Sequence, residues 1–126
     1  MKKRILFLVL FSICLFSCKV AGKLDNTGSF AIINYSDKVI EFVWIAPQGE
    51  FYPTARELNI KYGESYEITG LAAGIYDIAI DFKNEFNYFN SKLDKSLCLK
   101  IEKGIKKVWI VDSKGNILRN WFFYSY

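Results

Sequence analysis

Hydrophobic residues recur at every second position along much of the chain after residue 30. In residues 74–82, one set of alternate positions is wholly apolar and consists of Tyr76, Ile78, Ile80 and Phe82. Such alternation predicts a β-strand with one face in a core. The other positions of this segment include Asp77 and Asp81. We expect both carboxylates to lie on a solvated face.

Similar patterns predict six further strands, separated by turn-forming residues, at 30–35, 39–46, 65–69, 96–102, 107–112 and 117–123. Residues 51–60 have Pro53 near their start and are predicted to hold one helical turn. Short strands rich in aromatic and β-branched residues are typical of antiparallel sandwiches and barrels. The sequence therefore predicts an all-β fold, a single small antiparallel β-sandwich of about seven strands, over residues 30–126.

The first 16 residues have a different character. Lys2, Lys3 and Arg4 precede an uncharged, mainly apolar run over residues 5–16. As a helix this run is about 18 Å long, well short of the roughly 30 Å of a bilayer's hydrocarbon core. A basic start and a short apolar run predict a cleaved secretory signal peptide rather than a membrane span.

Four residues at the end of the apolar run, Leu15-Phe16-Ser17-Cys18, resemble the lipobox of bacterial lipoproteins. The resemblance implies that residues 1–17 are the signal peptide and that Cys18 becomes the first residue. It also implies that the Cys18 sulfur carries diacylglycerol and that the new amino terminus receives a fatty acyl chain such as palmitate. Phe16 is bulkier than usual for its position. The alternative, an incidental cysteine beside ordinary cleavage after Ala21, places Lys19 where a small residue is preferred.

Composition then excludes several classes of function. The chain has no histidine, so imidazole-based catalysis and histidine zinc sites are ruled out. Of its 17 Lys and Arg residues, three leave with the signal peptide, and the remaining 14 face 13 acidic residues. This balance predicts no nucleic-acid partner. Cys98 is the only cysteine left after Cys14 and Cys18, so we expect a buried, unreactive thiol.

No residue pattern points to catalysis or to a metal site, so we expect a protein that is not an enzyme and that has no cofactor besides the lipid on Cys18. Residues 18–29 are mostly polar or small and are predicted to form a lipidated, flexible tether. The eleven residues after Cys18 reach at most about 36 Å. Lys19 is not an acidic inner-membrane retention signal, so analogy with lipoproteins favours the outer membrane and leaves the leaflet open.

A second resemblance concerns the domain itself. Its segments are Ile33-Asn34-Tyr35-Ser36, Phe42-Val43-Trp44-Ile45-Ala46-Pro47, Gly63-Glu64-Ser65 and Ala73-Gly74-Ile75-Tyr76-Asp77-Ile78. Together they are similar to small Ig-like or transthyretin-like β-sandwiches of secreted bacterial proteins. The similarity covers residues 31–82 and implies a fold rather than an activity.

Two aromatic clusters exceed what a small sandwich needs. Residues 82–89 (FKNEFNYF) are predicted to be an Asn-rich loop, and residues 121–126 (WFFYSY) extend the last strand. Alternation puts the aromatic residues of the second cluster on both sides of that strand, and only one side can face the core. The cluster is therefore either a packed closing strand or a contact patch. The candidate binding residues are Phe86, Tyr88, Phe89, Trp121, Tyr124 and Tyr126.

These observations predict an exported, lipid-anchored lipoprotein of the cell envelope. Its β-sandwich is expected to act as a non-catalytic binding module, with surface exposure as one arrangement. Its partners would be the membrane, through the lipid anchor, and a protein or other ligand of the envelope or of a host. The alternative is a structural or assembly-accessory lipoprotein that faces the periplasm.

Overall fold

The computed structural model describes residues 26–124, apart from the side chain of Asn87, and these residues form a β-sandwich of two sheets. They contain eight strands rather than the seven or so predicted. One short 3-10 turn, Lys95–Leu97, precedes the sixth strand. The strands are β1 Thr27–Asn34, β2 Ile40–Pro47, β3 Ser65–Ala72, β4 Gly74–Phe82, β5 Glu85–Asn90, β6 Leu99–Ile101, β7 Ile105–Val111 and β8 Ile117–Tyr124.

The first sheet, sheet I, has the strand order β3-β1-β7-β8. Its β1–β3 and β7–β8 pairs are antiparallel, whereas β1 and β7 run parallel, with Ser29 opposite Lys106 and Asn34 opposite Val111. The predicted all-β sandwich is confirmed, and its strand pairs are antiparallel except for β1 and β7. The chain leaves sheet I after β3 and returns to it only at β7, so a long crossover lets β7 run in the direction of β1.

The second sheet, sheet II, is centred on β4. Strand β2 pairs with one edge of β4. Along the other edge, the short β6 pairs with the first residues of β4 and β5 pairs with its last residues. Every residue from Tyr76 to Phe82 is buried, including those on the face of β4 that points away from the core. The expectation that Asp77 and Asp81 are solvated is therefore wrong. Gly49 and Ser91, from other parts of the chain, contact the Asp77 carboxylate on that face.

The core lies between the two sheets and is organised around Trp109 of β7. The rings of Phe30 and Phe89 both contact Trp109 edge-on, each with a centroid separation of 5.2 Å. Burying a large apolar side chain contributes about 1.5–3 kcal/mol, so such contacts dominate the stability of the domain. The other large core residues are Ile32, Ile40, Val43, Ile60, Tyr76, Ile78, Ile80, Phe82, Leu99, Ile101 and Val111.

A buried asparagine closes one end of the sandwich. Asn34, at the end of β1, donates from Nδ2 to the carbonyl oxygens of Lys38 at 2.7 Å and Ile60 at 2.8 Å. Its Oδ1 accepts from the backbone N–H and the hydroxyl of Ser36. All the polar groups of this side chain therefore have partners, as a fully buried amide requires.

Most of the predicted strands are confirmed, with ends shifted by a few residues, and β1 begins at Thr27. The predicted loop at 82–89 is wrong, because residues 85–90 form β5. Asn84 has φ of 69° and turns the chain between β4 and β5, a conformation that asparagine tolerates. The predicted helical turn within residues 51–60 is also wrong, since that segment is irregular up to an isolated bridge between Ile40 and Ile60.

Candidate functional site

Strand β8 lies at an edge of sheet I and carries the largest group of exposed aromatic side chains. It pairs with β7 along one side, and β7 separates it from β1. Trp121, Phe122, Phe123 and Tyr124 are 51% to 65% exposed. We call these four residues the aromatic edge. Of the two alternatives, the packed closing strand does not describe these residues, because each of them is more than half exposed.

A β-bulge decides which way the aromatic edge faces. Val108 of β7 is opposite Trp121, and Ile110 is opposite Leu118. Two residues of β8, Arg119 and Asn120, therefore lie opposite the single β7 residue Trp109. The extra residue in β8 exchanges the two sides of the strand for every residue that follows the bulge. Trp121 and Phe123 therefore lie on the outer face of sheet I.

The other two aromatic residues point to the side of sheet I that carries the core. Phe122 is opposite Lys107, which shares a face of β7 with the core residue Trp109. The rings of Phe122 and Tyr124 contact each other edge-on at 6.0 Å. Both remain more than half exposed, so the aromatic edge presents large apolar groups on its two sides at once.

The aromatic edge ends beside the beginning of β1. Ile105 of β7 is opposite Tyr124, while the neighbouring Gly104 donates its N–H to the carbonyl of Thr27 at 3.0 Å. Adjacent strands are about 4.8 Å apart, so the first residues of β1 and the last of β8 are separated by about 10 Å. The amino end of the described domain and its aromatic edge thus share one end of the sandwich.

Four lysines surround the turn between β6 and β7 at this same end. Lys106 pairs with Glu67 at 3.0 Å, and Lys107 and Lys100 approach Glu102 at 3.4 and 3.9 Å. Lys103 lies exposed in the turn itself. Four lysines against two glutamates make this end of the domain basic.

The candidate residues of the aromatic cluster at 82–89 all lie on β5 but differ in how far they are exposed. Phe86 is 76% exposed, whereas Phe89 packs in the core against Trp109. Tyr88 contacts the ring of Phe82 at 4.4 Å, and its hydroxyl donates to the carbonyl of Gly115. Of the three candidates in this cluster, only Phe86 extends freely into solvent.

A buried carboxylate cluster lies on the opposite side of sheet II from the core. Asp77 of β4 is only 5% exposed. Its Oδ2 accepts from the backbone N–H of Gly49 at 2.9 Å, and its Oδ1 accepts from the Ser91 hydroxyl at 3.0 Å and the Cys98 thiol at 3.6 Å. Ser91 also accepts from the N–H of Ile78. The carboxylate thus connects four separate segments of the chain.

These contacts set the charge state of Asp77. Burial alone raises the pKa of Asp77, but the hydrogen bonds from Gly49, Ser91 and Cys98, with the positive charge of Lys92, outweigh it and hold the pKa below its ordinary value. A carboxylate that is kept ionised in this way is a weak proton acceptor. The geometry therefore suits a structural link rather than a general base.

Other predicted sites can be placed only in part. Cys98 is half-buried and accepts a hydrogen bond from the Gln48 amide at 3.5 Å. Cys18 and Tyr126 lie outside the described residues, as do the predicted signal peptide and most of the predicted tether. Within residues 26–124, no three Cys, Asp or Glu side chains form a group that could hold a metal ion. In the same range, no helix is long and apolar enough to cross a membrane.

Trp121 and Tyr124 are among the binding residues predicted from the sequence, whereas Phe122 and Phe123 are not. The bulge that orients all four was not predicted, because Arg119 and Asn120 carry no local bulge signal. The alternation of the sequence also gave no sign that residues 48–50 cover Asp77. Comparison of the chain with protein families, with curated proteins and with solved structures found no match.

Proposed function

We propose that this protein is an exported, lipid-anchored lipoprotein whose β-sandwich is a non-catalytic binding module, and that the module binds through the aromatic edge. The observation that carries the binding role is the exposure of four consecutive aromatic residues on an edge strand. Exposed apolar surface of this kind is characteristic of interaction sites, because aromatic side chains provide contact area at low entropic cost.

The lipid anchor is supported by the sequence of the first 18 residues. The basic start, the short apolar run and Leu15-Phe16-Ser17-Cys18 occur in the order and spacing of a lipoprotein signal. Two or three acyl chains hold a protein stably on a bilayer, because each buried methylene contributes about 0.8 kcal/mol. Thr27, where β1 begins, follows Cys18 by only nine residues, so the module would remain close to the lipid surface.

Mass spectrometry of the membrane-extracted protein tests the anchor directly. We expect a peptide that begins at Cys18 and carries the mass of diacylglycerol and an additional acyl chain. Cys18→Ala should release the module from the membrane or leave an unprocessed precursor, whereas the control Cys98→Ala should be acylated normally. Mature protein that is free in the culture fluid with an unmodified Cys18 thiol would refute the proposal.

Protease treatment of intact cells separates this function from the periplasm-facing alternative. A module at the cell surface is degraded while the outer membrane is intact. Protection until the outer membrane is broken would instead favour a structural or assembly role inside the envelope. Either result is compatible with the anchor, which the mass spectrum decides independently.

A further inference from the structure

The position of the aromatic edge relative to the start of β1 restricts what it can contact. Thr27 lies nine positions after Cys18 in the chain, which is a distance of at most about 30 Å. The aromatic edge ends about 10 Å from the beginning of β1, on the same end of the sandwich. If Cys18 carries lipid, the aromatic edge belongs to the end of the domain that is tied to the bilayer.

The chemistry of the aromatic edge suits a bilayer interface. Tryptophan and tyrosine concentrate at the level of the lipid headgroups, where the ring contacts acyl chains and the polar atom contacts water. Strand β8 lies at the edge of sheet I. Water and headgroups can solvate the backbone of an edge strand in the interfacial region, while the hydrocarbon core cannot.

The two-sided exposure also favours lipid over a folded partner. A second domain stacked on the outer face of sheet I would cover Trp121 and Phe123 but leave Phe122 and Tyr124 exposed. A layer of lipid headgroups surrounds a strand that enters it edge-first and contacts both sides of the strand together. The lysines around the β6–β7 turn add electrostatic attraction to anionic lipids. This attraction extends about one Debye length from the membrane surface.

We propose that the aromatic edge docks in the headgroup region of the bilayer that holds the lipid anchor, with preference for anionic lipids. This inference rests on the proposed lipid anchor and names the partner of the same surface. Docking would hold the sandwich with the β1 start, the β6–β7 turn and the end of β8 against the membrane. The opposite end, which contains Asn34, would point away from it.

Fluorescence quenching by brominated lipids tests the docking. The mature lipoprotein is placed in lipid nanodiscs with one copy per disc, with bromine near the headgroup end of the acyl chains. The Trp121→Phe variant keeps only the other two tryptophans, Trp109 in the core and Trp44 in β2 of sheet II. The difference in quenching between the unaltered protein and this variant therefore reports on Trp121. We expect quenching in the unaltered protein that the Trp121→Phe variant lacks.

Two substitutions extend the test. Phe123→Asp should abolish the Trp121-dependent quenching while circular dichroism stays unchanged, since Phe123 is more than half exposed. Lys103→Glu should reduce quenching in discs that contain phosphatidylglycerol and leave discs of pure phosphatidylcholine unaffected. If Phe123→Asp fails to fold, the comparison with Trp121→Phe still decides the result.

Three outcomes would overturn the inference. Acylated protein without Trp121-dependent quenching refutes the docking and leaves the proposed function intact. Protection of Trp121 from iodide only in discs with two copies shows that a second copy of the chain, and not lipid, covers the aromatic edge. Absence of acyl chains at Cys18 in the same preparation refutes the proposed function and this inference together.

Discussion

The hydrogen bonds of Asp77 make the stability of the domain dependent on one buried negative charge. Replacing Asp77 with asparagine keeps the size of the side chain but supplies one acceptor oxygen instead of two. That oxygen can face either Gly49 or the Ser91 and Cys98 pair, and the amide NH₂ must face the other. In either orientation at least one of these donors loses its acceptor.

A buried donor without a partner costs about 1–3 kcal/mol, and hydrogen bonds to a charged acceptor are stronger than neutral ones. We therefore expect Asp77→Asn to lower the free energy of unfolding by about 2–3 kcal/mol at pH 7. Chemical unfolding followed by tryptophan fluorescence measures this difference. Asp37→Asn, at an exposed position, is the matched control and should change stability by less than about 0.5 kcal/mol.

The same carboxylate gives the difference a defined pH dependence. The pKa of Asp77 is lower in the folded protein than the value of about 3.9 expected in the unfolded chain. Its ionised form therefore stabilises the fold fully above that unfolded value, and the contribution disappears as the pH falls through the folded value. The stability of the native protein and that of Asp77→Asn should converge below about pH 4. Equal stability at pH 7, or a difference that stays constant down to about pH 2.5, would show that the carboxylate does not hold these segments together.

Two further predictions concern the core and its closure. Asn34→Ala removes four hydrogen bonds and should lower the free energy of unfolding by about 3–4 kcal/mol, whereas exposed Asn120→Ala should have little effect; similar losses in urea unfolding would contradict the role of the buried amide. Phe89→Ala should cost about 3–4 kcal/mol because the ring fills the core beside Trp109, while Phe86→Ala should leave the thermal midpoint nearly unchanged, and the reverse order would place the wrong ring in the core.

Alternating hydrophobicity predicts the strands well, because a residue's side of a strand is determined by its position in the local sequence. It predicts burial less well. Tyr76 and Ile78 are in the core as expected, but Asp77 is also buried because distant residues 48–50 and Ser91 cover it. Local sequence contains no information about such a cover. The turn at Asn84 was not predicted either, because the polar residues around it indicated a loop instead of a turn followed by β5.

The candidate site shows the same division. The concentration of aromatic residues at positions 121–124 is visible in the sequence, and so is their division between two sides of a strand. Which side meets the core depends on the bulge at Arg119 and Asn120, and that bulge is defined by the register of β8 against β7. Register is a property of the paired strands, so alternation within β8 alone does not show which side Trp121 lies on.

The parallel pairing of β1 with β7 has a consequence for how the chain reaches its final form. Any process that delivers the polypeptide from its amino end, such as synthesis on a ribosome or passage through a translocation channel, releases β1 long before β7. One edge of β1 must wait for a partner that is most of the domain's length away, and contacts of such long range form slowly. The growing chain therefore passes through a stage with an open strand edge, during which a chaperone or a neighbouring chain can bind it.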